Sequence, residues 1–329
     1  MNERKLSRRD FFFDTLVAGL AAVLVDPRVA FTQMDAQSPI QKRAKSTPME
    51  EGRPSITAQG AAIHRAAHQL LDVPKVLDDP LALRIIGAKD ESTLRSNPAR
   101  FHNDRFMRAF IVLRSRYAED ELAHAVQRGI RQYVILGAGL DTFAYRNPYP
   151  GSRLRVFEVD HPATQSWKRT RLREADIAIP DPLTFAPVDF EQQTLADGLS
   201  RAGFRANEGA FFSLLGVVVY LTKTAIMETL KFVASLPSGS EIVFDYNIPT
   251  SALSLIQRFN RAAGASRVAA IGEPWITYFD PSSLASELRS MGFKQVEDFG
   301  PQEANNRYFK DRKDSFRIWG TGRLMKARI

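Results

Sequence analysis

The sequence predicts an α/β fold: a mostly parallel sheet with helices on both faces and a helical cap ahead of it. Three observations predict this. First, short apolar runs at 132–136, 154–159, 183–188, 210–215 and 241–246 are separated by helical patterns at 161–176, 191–202, 223–235 and 251–263. Strand-length runs alternating with helices of about 10–15 residues imply βαβ units and a parallel sheet. Second, the first run closes on Gly137-Ala138-Gly139, a turn whose glycines let backbone approach a ligand closely. Third, the next two runs end on acids, Asp160 and Asp189.

The elements follow in order. Residues 58–71 have helical period, with Ala61, Ala62, Ala66 and Leu70 on one face. Asp78-Asp79-Pro80 starts a short helix over 81–86, and 100–128 reads as one long helix or two. Gln132–Leu136 (QYVIL) then reads as a buried strand, because it is short, apolar and stopped by glycine. After the five runs, 282–291 is a helix closed by Gly292. Two further strands, 293–299 and 316–325, share a short connection, so one of them is expected to run antiparallel.

Composition narrows the function classes. The chain has 329 residues, 44% hydrophobic and 25% charged, which excludes a disordered chain, a collagen-like fibre and a multi-span membrane protein. With no cysteine there are no disulfides, thiolate metal sites or cysteine nucleophiles. The 45 basic and 37 acidic residues leave a net +8, but the basic residues are scattered. The densest group, Lys168, Arg169, Arg171 and Arg173, reads as a solvated helix face, so no nucleic-acid partner is expected.

The N-terminal region reads separately. Ser7-Arg8-Arg9-Asp10-Phe11-Phe12 followed by the apolar run Thr15–Val25 resembles a twin-arginine export signal, despite Asp14 and the lack of a clean cleavage site near Ala30 or Ala36. The run is shorter than the roughly 20 apolar residues of a membrane span. We therefore expect a signal over 1–36, a polar linker over 37–55 and one domain over 56–329, with export of the protein. Starts at Met34 or Met49 would instead keep it in the cytoplasm.

In open parallel sheets ligands bind beyond the carboxyl ends of the strands. The third glycine of a dinucleotide fingerprint is replaced by Thr142, which favours a nucleoside with a smaller tail over a pyrophosphate. Asp160 lies about 20 residues beyond the glycine turn, where an acid can accept from ribose hydroxyls. Asp189 could accept from an adenine amino group, with Phe190 packed on the ring. Both acids have a plainer reading as helix N-caps.

Taken together, QYVILGAGLDTFAYR, VFEVDHP, VDF and VVVYLT resemble the leucine carboxyl methyltransferase-like family, in particular its bacterial branch of S-adenosyl-L-methionine-dependent methyltransferases. The resemblance spans roughly 56–328 and includes RAAHQ, DDPLA, VLRSRYAEDEL, GEPW at 272–275 and GTGRLMKAR. It implies a class I methyltransferase fold, Rossmann-like, with seven strands of which the last is antiparallel. It also implies S-adenosyl-L-methionine as cofactor and methyl transfer to oxygen, on a carboxylate or hydroxyl of a small molecule.

By the same resemblance Gly137 and Gly139 border the methionine part of the cofactor, Asp160 holds the ribose, and Asp189 and Phe190 hold the adenine. Arg114 would take the cofactor carboxylate, a role suited to a planar guanidinium. Arg116 competes for that role, and an ion pair of Arg114 with Asp120 or Glu121 is the plainer alternative. One departure stands out: Leu215 occupies the place where relatives carry a Glu just before the glycine.

A carboxylate acceptor needs no base, whereas a hydroxyl does. Tyr220 and His161 are the nearest candidates. Tyr220 suits a pocket wall better, and His161 suits a helix start. The helices before the first strand, and an insert with Pro274, Trp275 and Tyr278, are expected to shape the acceptor site, although Trp275 could equally be core. His64 and His68 have metal-ligand spacing but no third ligand, and read as surface histidines with no metal. Two other functions remain: a nicotinamide-dependent oxidoreductase, opposed by the missing glycine, and a non-catalytic descendant that binds a nucleoside or a partner.

Overall fold

The computed structural model describes residues 55–149, 153–189 and 193–329. The export-signal reading of 1–36, all of the linker except Ser55, and Phe190 lie outside them.

Four helical segments precede the sheet: α1 (Ile56–Leu71), α2 (Ala82–Ile85), α3 (Ala88–Ser96) and, after a 3-10 turn at Pro98–Asp104, the long α4 (Arg105–Gln127). Then follow β1 (Gln132–Leu136), β2 (Arg155–Asp160), α5 (Pro162–Glu174), β3 (Leu183–Pro187), α6 (Leu195–Arg201), β4 (Phe211–Leu214), α7 (Lys223–Ala234) and β5 (Glu241–Asn247). The chain finishes with α8 (Leu255–Ala270), α9 (Pro281–Ser290), β6 (Gln295–Phe299), α10 (Pro301–Tyr308) and β7 (Gly322–Arg328).

The seven strands are ordered β3-β2-β1-β4-β5-β7-β6. Only β7 runs antiparallel to its neighbours. Strand order reverses between β1 and β4, the switch point where open sheets of this kind take ligands. All five residues of β1 are buried, as a central parallel strand with helices on both faces requires. Its side chains alternate: Tyr133 and Ile135 pack with α4, while Val134 and Leu136 pack with α6, α7 and α9. A third core joins α1, α2 and α3 to Leu140 and to Leu172 of α5, fastening the cap over the glycine turn.

Two expectations about the end of the chain need correction. The connection between the last two strands is not short, because it contains α10. The expected strand over 316–325 begins only at Gly322, since Phe316 and Ile318 instead plug the core beside α4. Helix α3, rich in charge with only Leu94 buried, was not anticipated. The expected solvated face of α5 also fails at one residue: Lys168 is buried and ion-paired to the equally buried Glu158 of β2 at 2.8 Å. Burial pushes the Glu158 carboxyl up to about 7, against the pull of Lys168.

Candidate active site

The site begins where β1 ends. The N–H groups of Gly137 and Ala138 both donate to the Val159 carbonyl, at 2.8 and 3.1 Å, which folds the turn back across β2. The next free N–H, of Gly139, donates to Asp160 Oδ2 at 2.6 Å. The other carboxylate oxygen accepts from the His161 N–H at 2.7 Å. Burial raises the Asp160 carboxyl, while these two N–H groups favour its charged form.

Asp160 does not cap the following helix. His161 does so, with Nδ1 accepting from the Ala163 N–H at 3.2 Å. The carboxylate is thereby aimed at the glycine turn. Val188 donates to the Asp160 carbonyl at 3.0 Å, which brings Asp189 beside it at the end of β3. Gly137, Gly139, Asp160 and Asp189 thus share one edge of the sheet.

The cap closes on this edge. Gly139 has φ +46°, and a Cβ placed there would lie 3.0 Å from the Cβ of Ala58 in α1. A side chain at 139 would therefore lift the helix. Arg65 of α1 donates to the Leu140 carbonyl at 2.5 Å. Thr142, in the place of a third glycine, donates to buried Asp79 at 2.6 Å, so this position bolts the DDP segment to the turn.

Arg114 reaches the site from α4. Its guanidinium lies against Gly216 just past β4: a Cβ there would sit 2.5 Å from Nη2, and φ is +73°. Nη1 donates to Asp245 Oδ2 at 3.2 Å, and Asp245 Oδ1 accepts from the Gly216 N–H. The alternative pairing of Arg114 with Asp120 or Glu121 is not made. Arg116 takes Asp120 at 2.8 Å instead, on the outside of the helix. Leu215 is half-buried and packs against the core beneath α4. The acid at this exit is Asp245, which the sequence reading missed; its signal was an acid near the end of an otherwise apolar strand.

A strap over 272–278 closes the opposite side. Ile276 N–H donates to the Val219 carbonyl at 2.7 Å, and Thr277 Oγ1 donates to the Leu221 carbonyl at 2.5 Å. Trp275 Nε1 donates to the Tyr220 hydroxyl at 3.3 Å, and its ring lies 3.1 Å from where a Cβ on Gly264 of α8 would be. Burial raises the Tyr220 phenol, which keeps it protonated and suits a wall rather than a base. Glu273, inside the GEPW motif but given no role from sequence, binds the start of α1. It accepts from the N–H groups of Ile56 and Thr57 and from both neighbouring hydroxyls.

The histidine expectation was wrong. His64 and His68 are both buried, at 5% and 0% exposure. His68 Nδ1 pairs with Asp72 at 2.9 Å, and Nε2 accepts from the Val76 and Leu77 N–H groups at 3.0 and 3.3 Å. Asp72 also receives Arg108. The i, i+4 spacing serves a buried face of α1. Among the described residues no cluster of three metal-ligating side chains occurs, and no helix is long and apolar enough to cross a membrane.

Comparison with known proteins meets this geometry. The family model described as leucine carboxyl methyltransferase matches residues 58–234, more than half of the chain. The chain belongs to the leucine carboxyl methyltransferase family. It is 35% identical over 301 residues to “Putative S-adenosyl-L-methionine-dependent methyltransferase YktD” of Bacillus subtilis (strain 168), covering 83% of this chain and 97% of that protein. A similarly named relative from Frankia alni is 28% identical over 278 residues, covering 82% and 93%. The crystal structure of a “putative methyltransferase” from Thermobifida fusca YX superposes with a TM-score of 0.50 at 15% identity, over 85% of this chain and 96% of that one. That likeness shows the fold. The leucine carboxyl methyltransferase match runs from α1 through α7 and so contains the glycine turn, Asp160, Asp189, Arg114 and Tyr220. The protein is a methyltransferase with a class I fold.

Proposed function

We propose that this enzyme moves the methyl group of S-adenosyl-L-methionine to oxygen, on a carboxylate or hydroxyl of a small molecule. The observation that carries the reading is Asp160, which bridges the N–H groups of Gly139 and His161 with its carboxylate turned to the switch-point edge.

The residues present fit the donor. A carboxylate offers about four lone-pair sites, and two are used by the backbone here; the others suit the ribose hydroxyls. Asp189 lies beside it, where an adenine amino group would find an acceptor. Gly137 and Gly139 leave room along the methionine chain. Arg114 is fixed against Gly216 by Asp245, ready for the donor's carboxylate. When bound, the donor supplies a methyl group on a positively charged sulfur. The chain's own work is to hold two reactants in line and keep water out. The cap helix α1 and the strap 272–278 suit that exclusion.

The experiment is calorimetric titration of the full chain with S-adenosyl-L-methionine and, separately, with NADH. Micromolar binding of the first, weakened about 10-fold or more in Asp160→Ala, is expected for the loss of two charge-assisted contacts. Binding of NADH alone would overturn the reading. Export is also ours to propose: a reporter fused to residues 1–50 should leave the cytoplasm, and its retention there would refute the signal.

A further inference from the structure

Helix α8 reverses the usual placement of side chains on a surface helix. Of its 16 residues only Arg261 is buried. That guanidinium donates to the Ile248 carbonyl and, at 2.7 Å, to Thr321 Oγ1. The large apolar side chains point outward instead: Leu255, Ile256 and Phe259 are 82%, 65% and 73% exposed. At 3.6 residues per turn, Leu255, Phe259 and Ala262 form one outward stripe, with Arg258 and Arg267 on its two flanks. The stripe has neighbours. Trp319, two residues before Thr321, is half-exposed and rests on Phe106 of α4 with ring centroids 5.7 Å apart. Met107, next to Phe106, is exposed as well. Five of the eight exposed large apolar side chains among the described residues therefore lie on α8 and the segments beside it. Single exposed apolar residues are ordinary, whereas a gathered set marks a contact surface.

The charge around this face has one sign. No Asp or Glu occurs over 246–272 or over 315–329. Arg258 and Arg317, one in each stretch, are exposed, and so is Arg105, whose guanidinium lies 5.0 Å from the Phe106 ring centroid. Outward apolar side chains, arginines along the flanks and a tryptophan at the border are the make-up of a helix that lies in a lipid interface. A second copy of the chain fits less well. Two-fold pairing sets a patch against itself, so Arg105, Arg258 and Arg317 would meet cations with no acid of the patch to answer them.

We propose that α8, with Trp319 and Met107, docks on the surface of a membrane rich in anionic lipid. Leu255, Ile256 and Phe259 enter the boundary between headgroups and acyl chains, and Arg105, Arg258 and Arg317 meet lipid phosphates. The helix lies on the bilayer and does not cross it: 16 residues that include three arginines are too short and too charged to span. Because Gly264, on the inward side of α8, carries Trp275 of the strap, docking also sets that side of the site next to the lipid. The inference does not depend on the donor-site reading above.

The test mixes the full chain with vesicles of phosphatidylcholine alone, or of equal parts phosphatidylcholine and phosphatidylglycerol, and follows co-sedimentation and tryptophan emission. The chain should bind the anionic vesicles, and added salt should weaken the binding. Emission should shift to the blue on binding, and Trp319→Phe should remove most of that shift. This readout separates the patch from the apolar run Thr15–Val25, which contains no tryptophan. Ile256→Ser with Phe259→Ser should weaken binding at least about 10-fold, and Arg258→Gln with Arg317→Gln about 10-fold. These four side chains are exposed, so the variants should keep the wild-type thermal unfolding curve. Four results overturn the proposal: the chain does not bind anionic vesicles; it binds both kinds of vesicle equally; the Ile256 and Phe259 double variant binds as wild type does; or sedimentation shows a dimer that Phe259→Glu dissociates, which would give the face to a second copy.

Discussion

The carboxylate of Glu273 accepts a 2.8 Å hydrogen bond from the backbone N–H of Ile56, the first residue of α1. A residue of the C-terminal strap thus serves as an anion at the N-terminus of the cap helix, where free N–H groups and the helix dipole favour it. Because Ala58, two residues on, rests on Gly139, this contact holds the lid of the site. Glu273→Gln keeps the shape and removes the charge. It should speed hydrogen exchange at 56–60 and raise the off-rate of bound S-adenosylhomocysteine about 3–10-fold, as expected for a loss near 1 kcal/mol. Unchanged exchange at those amides would refute the latch.

Gly216 and Gly239 make a controlled pair. Both have positive φ, +73° and +91°, but a Cβ at 216 runs into Arg114 while one at 239 meets nothing within 4 Å. Each Gly→Ala change should cost about 1 kcal/mol of stability from backbone strain alone. Only Gly216→Ala should also weaken S-adenosylhomocysteine, by about 10-fold, because it displaces a guanidinium that would meet the ligand's carboxylate. Equal affinities in the two variants would remove Arg114 from the binding site.

The Glu158–Lys168 pair is buried on both sides. Lys168→Met strands the carboxylate and should destabilise the fold by about 3–5 kcal/mol, whereas the double change Glu158→Gln with Lys168→Met should recover most of the loss. The pH dependence has a definite sign. The folded state keeps the Glu158 proton up to about 7, against 4.5 for the ordinary carboxyl. It therefore binds more protons than the unfolded chain in that window, and this group's contribution to stability falls as pH rises through it. Chemical denaturation of wild type and Glu158→Gln across that range measures the difference.

His64 works in the opposite direction. Burial, with help from Arg108 and Arg114, lowers its imidazole from 6.5 to about 3. Between those values the unfolded chain carries the proton and the folded chain does not, so stability falls as pH is lowered from 6.5 towards 3. One proton gives a slope of up to about 1.4 kcal/mol per pH unit. The slope should be shallower by that amount in His64→Gln. An unchanged slope would mean the ring is solvated in solution.

Much of this was readable before any coordinates, because local pattern and local structure agreed. QYVIL became β1 residue for residue, since an apolar run halted by glycine has few other uses in a parallel sheet. Asp160 and the glycine turn were placed for the same reason: strand ends and the helices after them are set by short stretches of sequence. The misses needed long-range information. His64 and His68 resemble surface residues because their spacing says nothing about which face of α1 is covered. Lys168 sits in a basic run but finds Glu158 across a strand. Glu273 and Ile56 meet over a separation of 217 residues, which no window along the chain can see.

The position of β7 bears on how the protein is made. It comes after β6 in the chain, yet it lies between β5 and β6 and is the partner through which β6 joins the sheet. A chain still emerging from the ribosome therefore has β5 with one bare edge and β6 with no neighbour until residues 322–328 arrive. Bare edges invite pairing with other chains. Strand β7 is thus the keystone of the sheet's edge, and until it is set β5 and β6 expose backbone prone to pairing with other chains.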